Sequence, residues 1–207
     1  HLDAVSSANN HGLDFGDSGD VSTGEYLQSF GIKRFGHPLT TPGALSPVVT
    51  HKDKKFCFVG YHSLFVATTS PVVSEIKTLR PDCWKVIVMA HWGEEYEHTA
   101  DAAQHAQAHA FIDAGADLVV GAHPHVVQGY EVYKGRAVFY SLGNFMFDQN
   151  FSWGTTHGML LRADFSDTET HFTVIPVSVR DQKTALTEGE DRQKVLDFAG
   201  VAEFSLP

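Results

Sequence analysis

At 207 residues, with 43% hydrophobic and 19% charged, the chain has the balance of a folded globular protein rather than a disordered one. With 15 basic against 25 acidic residues its formal net charge is −10, which argues against nucleic acid or a bare anionic lipid surface as partner. No run of about 18 apolar residues marks a membrane span, and no secretory segment opens the chain, so an anionic substrate remains compatible only where bound cations reverse the local sign.

In chain order, Asp3 to Ala8 reads as a short strand running into the polar turn Asn9-Asn10-His11-Gly12. The opening His1-Leu2-Asp3 has the look of a strand already in progress, so the N-terminal part of the domain is expected to be missing. Ser22 to Phe30 has helical spacing and stops at Gly31. Ser46–His51 and Lys55–His62, around Lys52-Asp53-Lys54, form a hairpin pattern. Ser70 to Leu79 follows as a helix with Ser70 as its cap and Pro71 at its first position. Trp84 to Ala90 is a β-branched run typical of a buried strand, ending at His91-Trp92-Gly93. Asp101 to Ala114 is an Ala-rich helix ended by Gly115. Asp117 to Gly121 is a second buried strand, ending at Ala122-His123-Pro124-His125. Tyr130 to Ser141 is a hairpin turning at Lys134-Gly135 and running into Leu142-Gly143-Asn144-Phe145. Gly158–Phe165 and His171–Val179 add two strands, and a short helix is expected after Glu188. Alternation of this kind points to a layered α/β domain, a single one over residues 1–207.

Cys57 and Cys83 sit in apolar runs and read as small buried thiols rather than a disulfide. Of the 13 histidines, His37, His51, His98 and His171 read as surface residues. His105 and His109 read as solvated or packed on one helix face, and His62 and His157 as structural. The remainder stand out by position. Three strands end in turns carrying His11, His91 and the His123/His125 pair, and ligands of open α/β sheets bind outside the carboxyl ends of strands. Pro124 fixes the backbone between two imidazoles, a donor type that suits Zn, Fe, Mn and Ni. Asn10 adds a neutral amide oxygen beside His11. Phe145, Phe147, Phe151 and Trp153 crowd the loop after Asn144, where core packing is the default reading and a cleft wall the sharper one.

The stretches SSANNHGLDFG, VIVMAHWGEEY and IDAGADLVVGAHPHVVQGYEVYKGRAVFYSLGNFMFDQ resemble the CapA family of poly-γ-glutamate capsule-synthesis proteins, in the calcineurin-like metallophosphoesterase superfamily. The likeness runs from about Ala4 to Gln149 and weakly beyond. It implies a four-layer α/β/β/α sandwich, here lacking its N-terminal strand or strands, and a pair of divalent ions (Mn, Fe or Zn). By motif, Asn10, His91 and His123 resemble ligands of the second ion, His125 a ligand of the first, and His11 the catalytic neighbour that assists the leaving oxygen. Glu94 and Glu95 would support the ligands or bind substrate, with Asn144 and Phe145 beside the cleft. The family's strand ending in Gly-Asp does not precede Asn10. Asp3 is no substitute for its carboxylate, and Asp14 and Asp17 read as loop carboxylates. The implied activity is hydrolysis of a phosphoester or related bond. Non-hydrolytic polyglutamate assembly or export, and metal-dependent peptide epimerisation, are the alternatives. The implied partners are an anionic substrate, such as a phosphoester or polyglutamate, and capsule-machinery proteins, with no nucleic acid. The implied location is the cell envelope.

Overall fold

The computed structural model describes residues 2–39, 47–65 and 68–207. Ser46, the expected start of the first hairpin, lies outside them. The class is mixed α/β with several sheets and helices, consistent with the expected α/β sandwich. The chain divides into two compact units, residues 1–92 with 106–119 and residues 93–105 with 120–207.

The first unit holds β1 (Ala4–Ser6), α1 (Gly16–Ser29), β2 (Lys33–Phe35), β3 (Val48–His51), β4 (Lys54–His62), α2 (Ser70–Leu79) and β5 (Lys85–His91). Helix α3 (Ala102–Ala114) and strand β6 (Leu118–Ala122) contribute residues to both units. Strands β3 and β4 pair antiparallel across Lys52 and Asp53, both left-handed, as the short turn requires. Along β4, Cys57, Val59 and Tyr61 are buried while Phe56, Phe58 and Gly60 between them are less so, the period of two of a strand with one core face, and His62 at its end is buried as well. Strand β5 is buried on both faces and pairs parallel with β4, placing Cys57 opposite Val86 and His62 opposite His91. Tyr61 packs edge-on against Trp92 and Phe111 beneath this layer.

Two devices fix that register. Arg80 at the end of α2 donates to the carbonyls of Gly115 and Trp84, at 3.1 and 2.9 Å, and pairs with Asp117. Asp117 in turn accepts from Val86 N through Oδ2 and donates its own N–H to Val86 O, each at 2.8 Å. The second device corrects the reading of the cysteines. Cys57 and Cys83 form a disulfide across Cα atoms 5.9 Å apart. Burial in apolar runs suits a thiol and a bridge equally, and only the parallel pairing brings a residue preceding β5 beside β4.

The second unit holds β7 (Val127–Tyr133), β8 (Arg136–Leu142), β9 (His157–Phe165), β10 (Thr170–Arg180), β11 (Lys183–Leu186), α4 (Gly189–Ala199) and β12 (Glu203–Leu206). Strands β7 and β8 form the expected hairpin, with Lys134 and Gly135 left-handed at its turn. Strand β10 pairs antiparallel with β9, β11 and β12, around a core that includes Phe139, Phe172 and Val177.

Several boundaries differ from the sequence reading. Helix α1 begins at Gly16, six residues early, and takes in Asp17, so that this residue is not a loop carboxylate. None of its residues is buried, so the apolar spacing on which the expectation rested does not report a core-facing stripe. Thr69, not Ser70, occupies the cap position of α2. Strands β2, β11 and β12 were not anticipated: at three or four residues each, they are too short for alternation to register. Among the described residues no helix is long and apolar enough to cross a membrane.

Two outcomes follow. Reducing the Cys57–Cys83 bridge, or replacing Cys57→Ser, should lower stability by about 3 kcal/mol, because a loop of this length gains that much chain entropy when opened; thermal unfolding with and without reductant measures it. Burial pushes the Tyr61 phenol up to about 12. Its contribution is therefore fully present below the ordinary value of about 10 and is lost as pH rises from there through the folded value. Denaturant midpoints between those limits should fall for the native chain, and fall less for Tyr61→Phe.

Candidate metal centre

In the first unit, Asn10 and His91 meet. Strand β5 ends at His91, which is buried, and its Nε2 donates to Asn10 Oδ1 at 2.8 Å. Two donors on one ion, each about 2.1 Å from it, stand roughly 3 Å apart when at right angles. The Asn10–His91 separation fits that. The β4–β5 register brings His62 alongside, its ring centre 5.6 Å from that of His91. His62 Nδ1 faces the Pro38 carbonyl at 2.8 Å, and burial lowers its pKa, partly offset by that carbonyl. His11 lies exposed in the turn after β1, with Nδ1 2.9 Å from Asp14 Oδ2. Asp14 thus orients His11.

In the second unit, Glu95, His123 and His125 converge. One ligand atom from each lies within 4.8 Å of the others, and His125 Nε2 stands 3.8 Å from Glu95 Oε1. Ligands of a single ion are separated by roughly 3 to 4.2 Å, so small side-chain adjustments seat all three on one centre. Two imidazoles and a carboxylate form a donor set suited to Zn, Mn or Fe.

The backbone here is strained. His123, His125 and Tyr96 have φ of 101°, 61° and 67°, conformations that side-chain-bearing residues rarely adopt. Each costs on the order of 1–3 kcal/mol and persists only where its surroundings over-determine it. Part of that constraint is visible: Tyr96 N donates to Pro124 O at 2.8 Å, stitching the Glu95 loop to the His-Pro-His turn.

The Glu95 loop is held from behind. Asp101 and Gln104 cap α3 reciprocally: Gln104 N donates to Asp101 Oδ1 at 2.7 Å, and Asp101 N donates to Gln104 Oε1 at 3.0 Å. Gln104 Nε2 then donates to Gln128 Oε1, and Gln128 Nε2 to the Glu97 and Thr99 carbonyls. Gly93, at φ 81°, lies against the Gln104 side chain where a Cβ would collide. The Asp-x-x-Gln spacing is the sequence signal for this support, and it was missed.

Asn144 sits behind His125 rather than in open space. It is buried and accepts from His125 Nδ1 through Oδ1 at 2.9 Å, while its Nδ2 donates to Thr155 O and Gln149 Oε1. These contacts fix the amide orientation, which in turn makes Nδ1 the protonated nitrogen of His125 and turns the Nε2 lone pair toward Glu95. Strand β9 passes so close that a Cβ on Gly158 would meet Asn144 O at 2.2 Å. Phe145 is exposed, with its carbonyl accepting from Thr184 Oγ1. Glu94 is exposed beside Glu95.

Of three further histidines, one differs from the sequence reading. His98 is no free surface residue: its ring stacks on Phe198 at 3.9 Å and Nδ1 faces Val127 O. His105 Nδ1 meets Glu131 Oε2 at 2.9 Å and the Tyr140 hydroxyl at 2.6 Å. His157 is buried, as expected of a structural residue, stacked on Trp153 and near Asp191.

Residues 1–149 match the family described as bacterial capsule synthesis protein PGA_cap. The chain is 41% identical over 112 residues to the capsule biosynthesis protein CapA of Bacillus anthracis, covering 53% of this chain and 27% of that one. It is 32% identical over 201 residues to the PGA biosynthesis protein CapA of Bacillus subtilis, covering 87% and 52%. A probable polyglutamine synthesis accessory protein of Mycobacterium tuberculosis is 29% identical over 171 residues, covering 68% and 44%. The chain therefore spans about half the length, or less, of these relatives.

The Asn144 geometry predicts that ¹⁵N spectra of the native chain show His125 protonated at Nδ1, and that Asn144→Ala mixes the two tautomers while leaving the other histidine signals in place.

Proposed function

Because the chain belongs to the bacterial capsule synthesis protein PGA_cap family, we propose that it is a CapA-like capsule and poly-γ-glutamate biosynthesis protein with a metal-dependent, phosphoesterase-type hydrolytic site. The observation that carries the reading is the Glu95–His123–His125 trio on its strained turn. A bound divalent ion supplies Lewis acidity and an activated water there.

The remaining work falls to the chain's own groups. His123 and Glu95 contribute donor atoms directly, and Asn144 keeps the Nε2 lone pair of His125 presented to the ion. In the other unit, Asn10 and His91 would offer donors to a second ion, two of the ligands that the family resemblance implies for it. His11 is the proton donor. The Asp14 carboxylate at its Nδ1 orients the ring, so that Nε2 is the nitrogen that would serve a leaving oxygen. The substrate is anionic, a phosphoester or polyglutamate, and its negative charge is met by the ions, since the chain itself carries a net charge of −10. The capsule role supports a place at the cell envelope, beside other capsule-machinery proteins.

A second reading is assembly or export of polyglutamate without bond cleavage. It draws on the names of the relatives, which speak of PGA biosynthesis and polyglutamine synthesis. Metal analysis together with turnover of an aryl phosphate separates the two. His123→Ala and His125→Ala should each lower bound metal and cut turnover by more than about 100-fold, with chelation abolishing and Mn or Zn restoring the native rate. Undiminished turnover in both variants would sink the hydrolytic reading. Metal-dependent capture of polyglutamate with no turnover would favour the second.

A further inference from the structure

Three segments of the second unit surround the trio: 93–101, 122–127 and 143–156. The last of them leaves large apolar side chains in water. Phe147 is 40% exposed and Phe151 66%, and Tyr96 from the first segment is 42% exposed. These rings form one cluster with the donor residues. Phe147 lies 5.0 Å from the His125 ring, Tyr96 stacks on His125 at 6.0 Å, and Phe151 meets Tyr96 edge-on at 5.3 Å. Gln149 Nε2 donates to the Tyr96 hydroxyl, so the loop is pinned with its rings beside the trio.

The sign of the surroundings selects what such a rim accepts. The three segments carry Glu94, Glu95, Glu97, Asp101 and Asp148, and no Lys or Arg. An anionic group is repelled by this rim, and an uncharged apolar group gains nothing from its carboxylates. An organic cation gains from both, since an ammonium is attracted to aromatic faces as well as to negative charge. The same loop already shows the chemistry internally: Lys194 Nζ sits 4.1 Å over the Trp153 ring.

We propose that the rim formed by Tyr96, Phe147 and Phe151 recognises an organic ammonium group, the amine end of a substrate whose anionic end is held at the Glu95–His123–His125 trio. The second half of that statement rests on the metal reading above; the first does not. The substrate class is then zwitterionic, an anionic ester or acyl group joined through a short linker to an amine.

Choline and its uncharged isostere 3,3-dimethylbutan-1-ol test the rim directly, followed through the aromatic resonances of the chain. Choline should move the Tyr96 and Phe signals and bind at least ~10-fold more tightly than the isostere. Phe147→Leu and Phe151→Leu, both at exposed positions, should each weaken choline about 5-fold with metal content unchanged. Equal binding of the two compounds, or ring signals that neither moves, overturns the proposal. Repeating the titration after chelation keeps the two readings apart. Choline binding retained in the stripped protein supports the rim even where aryl phosphate turnover has failed to appear, and choline binding that vanishes with the metal overturns the rim as the recognising element.

Discussion

Asp117 is a buried carboxylate that ties two elements, α2 and β5, to the start of β6. It takes the Arg80 guanidinium from the end of α2, receives the Val86 amide of β5 on one oxygen, and returns its own amide to the Val86 carbonyl. A lone carboxylate at that depth is prohibitively costly, so the pair forms or the layer does not. Once it forms, β5 has a fixed starting point, and the disulfide holds β4 to it. The consequence appears at the far end of both strands. Seven paired positions separate Phe56↔Lys85 from His62↔His91 inclusively, and a slip of one residue would turn His91 to the opposite face. The meeting of His91 with Asn10 depends on that count.

In the second unit the corresponding constraint is torsional. The chain adopts left-handed angles at His123 and His125, with Pro124 between them, and the Gln104–Gln128 pair and Asn144 supply the offsetting contacts. Such a turn persists only because its surroundings over-determine it.

The long β-branched runs and the Gly and Pro punctuation made β4, β5, β6, α2 and α3 legible, because these elements are fixed by period and by breakers that act locally. The strand-end histidines were legible for the same reason: a polar ring after a buried run is conspicuous. What escaped depends on neighbours distant in sequence. The Cys57–Cys83 bridge needs the β4–β5 pairing, the position of Asn144 behind His125 needs the close pass of Gly158, and β12 exists only because β10 offers it an edge. Glu95 falls between these cases. Its type and proximity to His91 in sequence marked it as interesting, while its meeting with the His-Pro-His turn is a tertiary fact.

Four side chains of the second unit close a ring: His125 to Asn144, Asn144 to Gln149, Gln149 to Tyr96, and Tyr96 back against His125. Three of the links are hydrogen bonds and the fourth is a stack, so no member can shift without the others following. In mechanical terms His125 and Tyr96 are one part with one tolerance. Loosening at Gln149 is transmitted to the imidazole, and an error of placement at the imidazole is felt at Tyr96.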